Sequence, residues 1–229
     1  MTRGPDAEGR ASRSRPPPRA LDPDAEGLAV RLPPSSALVR ASIVTPGDWI
    51  ELDLDPATRH SSIRRAVRRA VVRSRGLASD AVPLIALLDR TSRRGADAGA
   101  FYCASRVIED AAGGALVATV VMQICQSAMA PLPGTLSLPV GHRCAALAAV
   151  IGNDPGWAAA NIRVVELPFV GPAVRLHIED DAIIVQYLVP LVGGLADVVL
   201  TFTCPCPPYA RLMTELFDTM AEGLVLHYD

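Results

Sequence analysis

The sequence predicts an α+β fold, an α/β/α sandwich in which helices cover a large, mostly antiparallel sheet. Apolar residues recur at helical spacing in an early pair of segments and again near the C-terminal end. Between these lie several runs of Val, Ile and Leu, separated by Gly- and Asp-bearing turns. The two kinds of segment come in blocks rather than in βαβ alternation, and no Gly-rich first turn is present, so dinucleotide-binding folds are set aside.

Residues 1–45 are rich in Pro, Arg, Asp, Glu, Gly and Ser, and "PDAEG" occurs at Pro5–Gly9 and again at Pro23–Gly27. So little apolar surface cannot offset the entropy of ordering, and a disordered arm is expected. One domain, residues 46–229, is expected to follow. Trp49–Leu54 alternates apolar and acidic residues, the period-2 mark of a strand with one wet face. Asp55 is a suitable N-cap with Pro56 at the first helical position. The helix then carries Ile63, Ala66, Val67, Ala70 and Val71 on one stripe and stops at Gly76. A second helix starts near Ser79-Asp80, carries Leu84, Ile85, Leu87 and Leu88, and ends near Gly95.

Phe101–Ile108 and Ala115–Cys125 flank "EDAAGG" and read as a hairpin. Next comes a helix from Val140 to Ile151, set up by Pro139 and stopped at Gly152. A meander of three strands is then expected: Ile162–Pro168 continuing through Val174–Ile178, then Ile183–Val189, then Ala196–Thr203. The last helix, Pro207 to Glu222, puts Tyr209, Leu212, Met213, Leu216, Phe217 and Met220 on one face.

Half of the 229 residues are hydrophobic but only 4% are aromatic, so the core must be built from aliphatic side chains. All 22 basic residues are arginine, which with the Ala, Val and Pro richness points to a high-GC bacterial genome. A net charge of -2 gives no basic excess of the kind nucleic acid demands. The five cysteines are odd in number, and no apolar signal segment is readable at the N-terminus. Reduced thiols and a cytoplasmic location are therefore expected. The charge-free run Ala111–Gly141 is long enough for a membrane span. However, Gly113-Gly114, Gln123, Gln126, Pro131 and Pro133 confine its apolar centre to Ala115–Cys125, which suits a buried strand.

The segments "WIELDLD", "VQYLVP" and "VVLTFTCPCPPYARLMTELFDTMAEGL" resemble those of small high-GC bacterial proteins with a PsbP-like α/β/α sandwich. The likeness runs from about residue 46 to the end, with Leu200, Thr201, Phe202, Thr203, Pro205, Leu216, Phe217 and Asp218 on the usual pattern. The resemblance implies a non-enzymatic adaptor, because that fold group acts mostly by binding other proteins, and it names no partner.

Candidates for chemistry are few. Cys204 and Cys206, two apart in an extended chain, point to one side. With His142 and Cys144 they could form a metal set, although zinc pairs are usually spaced two to four residues apart. Cys206 also precedes the last helix, where the N-terminal dipole could activate a thiol. The plainer reading, and the favoured one, is that the prolines end a strand and start a helix. Arg59, Arg64, Arg65, Arg68, Arg69, Arg73 and Arg75 give the first helix a basic face, which could dock an acidic partner, nucleic acid or anionic lipid; with no aromatics interleaved, a solvated surface is the favoured reading. Trp157, in the loop "NDPGW", is either a contact residue or an edge plug.

The histidines are scattered, and no nucleophile elbow, phosphate loop or zinc-protease motif occurs. No enzyme activity and no cofactor are expected. The leading expectation is an adaptor or assembly chaperone that binds another protein through Arg64, Arg65, Arg68, Arg69 and Trp157 and the loops Pro131–His142 and Asn153–Trp157. No membrane span is expected, and the oligomeric state stays open. The alternatives are a binder of a small apolar ligand and a metal or redox protein using Cys204 and Cys206.

Overall fold

The computed structural model describes residues 38–73, 77, 80–109, 115–129, 134 and 137–228. In chain order the elements are β1 (Leu38–Ser42), β2 (Ile50–Glu51), α1 (Arg59–Arg73), α2 (Ala81–Asp97), β3 (Ala100–Glu109) and β4 (Ala115–Gln126). Then follow α3 (Val140–Gly152), β5 (Asn161–Leu167), β6 (Gly171–Glu179), β7 (Ile183–Pro190), β8 (Ala196–Cys204), α4 (Ala210–Glu222) and β9 (Val225–Tyr228). Seven strands form one sheet in the order β2-β3-β4-β8-β7-β6-β5, and every neighbouring pair is antiparallel. The α+β sandwich expected from the sequence is the fold observed.

Strand periodicity decides which helix covers which face. On β8, Val198, Leu200 and Phe202 point to one side, where Met213, Phe217 and Met220 of α4 meet them. Phe202 and Phe217 stack with ring centroids 4.9 Å apart. Both are fully buried, each contributing roughly 1.5–3 kcal/mol by burial alone. The intervening residues of the sheet point to the opposite face, which two groups of helices share. Ile63, Val67, Leu84 and Leu88 of α1 and α2 pack on Cys103 and Val117 at the β3–β4 end. Cys144 and Leu147 of α3 pack on Val174, Leu176, Leu188 and Val199 at the other end. Between the two groups the sheet carries a polar seam, with Ser105 and Thr119 hydroxyls 3.3 Å apart and Gln186 Nε2 donating to Thr201 Oγ1 at 2.9 Å.

Several boundaries differ from the sequence reading for local reasons. The strand expected over Trp49–Leu54 is only Ile50–Glu51, because Asp53 Oδ1 accepts from the Asp55 amide and Asp55 Oδ1 from the Ala57 amide. These side chains curl the chain into a turn before α1 begins at Arg59. The Asp55 carbonyl still accepts the Arg59 amide at 2.8 Å. The meander has four strands, not three, since the chain reverses after Leu167 and Gly171 takes a φ of 82° to start β6. The last helix opens with a 3-10 turn, Pro207–Tyr209, before α4. Leu212, expected on the apolar stripe, is 64% exposed.

Two strands had no counterpart in the sequence reading. Residues Leu38–Ser42 lie within the arm assigned as disordered, yet form β1 and pair antiparallel with β9. The rest of that arm, residues 1–37, lies outside the described residues. Ala115–Gln126, expected as a buried strand, is a sheet strand flanked by β3 and β8, and among the described residues no helix is long and apolar enough to cross a membrane.

Candidate functional site

The basic face of α1 follows from the spacing of its apolar residues. Ile63 and Val67 are fully buried against α2 and the sheet. Arg64, Arg65, Arg68 and Arg69 therefore project outward, and all four are exposed. Among the described residues none of the four has an ion pair or hydrogen bond, in contrast to Arg93, Arg106, Arg175 and Arg211, which all have carboxylate partners. Arg59 turns inward instead, buried, with Nη2 donating to the Leu54 carbonyl. The Arg73 side chain and Arg75 lie outside the described residues.

Beside this face runs a groove of about 480 Å³ between α1 and the outer edge of β2, with Ser62, Arg65 and Arg69 on one wall and Asp48 and Glu51 on the other. Among the described residues β2 is paired only with β3. Leu52 donates to the Cys103 carbonyl at 2.8 Å and Glu51 sits opposite Ala104. Antiparallel alternation therefore directs the Glu51 amide and carbonyl away from β3, toward the groove. Asp48 is occupied by Arg106 at 2.6 Å. Val72, 83% exposed, adjoins Arg68 and Arg69 at the rim.

The cysteine set is divided by the sheet. Cys204, the last residue of β8, is buried on the α4 side, with Cys206 half-buried beside it. Cys144 is buried on the α3 side, its thiol 3.4 Å from the Pro172 carbonyl. His142 lies in the first turn of α3, so the four residues do not converge, and no metal-competent group of three occurs among the described residues. Burial pushes the Cys103 thiol up to about 12 and the Cys144 thiol to about 11, and raises Cys204 as well. Buried, neutral thiols of this kind are poor nucleophiles.

Trp157 ends a 3-10 turn, Pro155–Trp157, held by Asp154 Oδ1 accepting from the Gly156 amide at 2.8 Å. It is half-buried and packs against the cluster under α3, as Ile151 and Ile162 also do. Of the Pro131–His142 loop, residues 131–133 and 135–136 lie outside the described residues.

Two polar arrangements were missed by the sequence reading. On the α4 face, Arg175 of β6 is buried and donates to Asp218 of α4 from Nε at 2.9 Å and from Nη2 at 3.1 Å. The Tyr187 hydroxyl of β7 donates to the same carboxylate at 2.5 Å. On the α3 face, Arg143 is only 7% exposed, its Nη1 reaching the Leu191 carbonyl at 3.5 Å while Nε has no partner. Asp197 of β8 is buried nearby with Oδ1 unpartnered, and burial raises its pKa against the opposing pull of the Ser127 hydrogen bond and the Arg143 charge. One signal for Arg143 was present: it stands four residues before Leu147, on the buried stripe of a helix that has no other charge.

Arg143 also forms part of the wall of a cleft of about 290 Å³ at the turn-bearing end of β5–β8. Val140, Val170, Val192, Leu226 and Tyr228 supply most of the remaining wall. Phe169 and Val192 stand at its rim, 68% and 59% exposed.

No protein-family model matches the chain, and no curated protein matches it. One solved structure with a similar course is LpqN, described as involved in cell envelope biogenesis of Mycobacterium tuberculosis. It has 6% sequence identity and a TM-score of 0.38, over 81% of this chain and 82% of that one.

Proposed function

We propose that the protein is a non-catalytic adaptor that docks an acidic segment of another protein along α1 and the groove beside β2. The observation that carries this reading is the set of four exposed arginines next to a strand edge, both without a partner among the described residues. An arriving extended segment can hydrogen-bond to the free Glu51 backbone while its carboxylates meet Arg65 and Arg69, combining strand addition with charge complementarity. The resemblance of its sequence to the PsbP-like group supports the same reading, because that group acts mostly through protein binding. Five unpaired thiols, three of them buried, suit a reducing cytoplasmic setting.

The test is a titration of the full chain with a fluorescent Glu-rich peptide and its Gln-rich counterpart at low and moderate salt. Salt-sensitive binding of the acidic peptide alone, lost on changing Arg64, Arg65, Arg68 and Arg69 to Gln, is expected. Equal affinity for both peptides, or binding that survives the four substitutions, would remove the proposal. A second reading, the binding of a small apolar ligand, is favoured by the separate cleft at Arg143.

A further inference from the structure

The cleft at the far half of the sheet combines features that the adaptor reading does not use. Its wall is mostly aliphatic and aromatic, and two large apolar side chains stand at its mouth with most of their surface in water. Set into this wall is one cation, Arg143, more than nine-tenths buried. A guanidinium has five N–H donors in a fork that matches a carboxylate. Here one weak bond at 3.5 Å, to Leu191, is the only hydrogen bond described for it, and Nε has no acceptor.

Asp197 and Arg143 feel each other's charge across the sheet beneath, yet among the described residues the two make no ion pair, and Asp197 keeps an unpartnered oxygen of its own. A buried cation with so few acceptors carries a desolvation cost that the chain itself does not offset. A second anion reaching it from the cleft would offset it.

We propose that this cleft binds an aliphatic monocarboxylate, with the carboxylate on the Arg143 guanidinium and the alkyl chain against Val170, Val192 and Leu226. The volume is at the lower limit of small-molecule sites, about 300 Å³, which suits a short chain rather than a long one. The alkyl portion covers apolar wall that is otherwise wet, and its tail end reaches Phe169 at the mouth. A neutral ligand of the same length gains the apolar contact but leaves the guanidinium unpaired, so the head group sets the preference.

The experiment is an amide-shift NMR titration of the full chain with octanoate, octanol and octylamine. Saturable octanoate shifts are expected at Arg143, Val170, Val192 and Leu226, with affinity at least ten-fold above octanol and no saturable octylamine binding. Arg143→Gln should reduce octanoate to the octanol level. Because that change lies in the interior, Val192→Asp at the exposed rim serves as the second variant. It should leave the melting temperature unchanged and abolish octanoate binding, because a charge set against the alkyl chain must be desolvated for the ligand to enter. Octanoate and octanol binding equally, no saturable octanoate binding in the millimolar range, or Val192→Asp binding octanoate like the wild type would each overturn the assignment. The Gln-substituted α1 variant should bind octanoate normally, so this site and the adaptor surface fail or stand independently.

Discussion

Arg175 on β6 and Asp218 on α4, forty-three residues apart, form a bidentate ion pair across the sheet–helix interface, with the Tyr187 hydroxyl on the same carboxylate. The guanidinium is nearly inaccessible, while the carboxylate keeps about a third of its surface in water. Burial weakens the charge on Arg175 and the Asp218 contacts restore it, with the net balance raising its pKa. Together with the Thr214 hydroxyl, 3.4 Å from His177 Nε2 one turn earlier, the pair ties α4 to β6.

Replacing Asp218 by Ala strands a buried cation and should cost about 3 kcal/mol, the range for breaking a buried pair from one side. Exchanging all three partners for apolar residues, as Arg175→Met, Tyr187→Phe and Asp218→Leu together, should recover most of that loss. Urea unfolding of both variants measures this. A stability change in Asp218→Ala below about 0.5 kcal/mol, the usual surface value, would contradict the buried-pair account.

Alkaline pH should destabilise the fold through its buried thiols. The Cys103 thiol is held near 12 when folded, against 9.0 for an exposed thiol, and Cys144 near 11. Below about pH 9 folded and unfolded chains are both protonated at these positions, so the contribution is complete there. As pH rises further the unfolded chain loses its protons first, and stability falls until the folded pKa is passed. Urea midpoints should therefore drop as pH rises from about 9 toward about 11, and Cys103→Ala should make the drop shallower. A slope unaltered by Cys103→Ala would count against this assignment.

Metal removal should do nothing. Cys204 and Cys206 lie on the α4 side of the sheet and Cys144 on the α3 side, so the sheet itself separates the donors that the sequence could have joined. Melting in excess chelator should match melting in buffer, and one equivalent of zinc should not raise it. A chelator-dependent fall in melting temperature would show that the thiols do meet a metal.

Much of the architecture was legible because local signals and burial agree. Ile63 and Val67 announced the inward face of α1, and the outward arginines followed from them. The alternation of β8 likewise gave Phe202 to the core. What stayed hidden depends on partners far along the chain. β1 and β9 pair residues such as Arg40 and His227, and neither segment is long enough to declare itself alone. The stripe of α4 was misjudged at Leu212 because helix spacing fixes relative angles but not which angle meets the sheet. Asp218 of that helix stood on the pattern of the resemblance, but its partner Arg175 lies forty-three residues away and only the fold brings it beneath. The guanidinium of Arg143 could have been suspected from its place on the α3 stripe, but the cleft around it is assembled from turns that only the folded chain brings together.

The central claim, that α1 is a docking surface, is tested most directly by affinity purification of the wild-type protein beside two variants from cells expressing it. One variant carries Gln at Arg64, Arg65, Arg68 and Arg69, and the other carries Val192→Asp. Both alter exposed side chains and should stay within about 0.5 kcal/mol per site of wild-type stability. The account predicts one discrete protein retained by the wild type and by Val192→Asp, and lost from the Gln variant. Retention of the same proteins by all three, or a partner lost only from Val192→Asp, would contradict it.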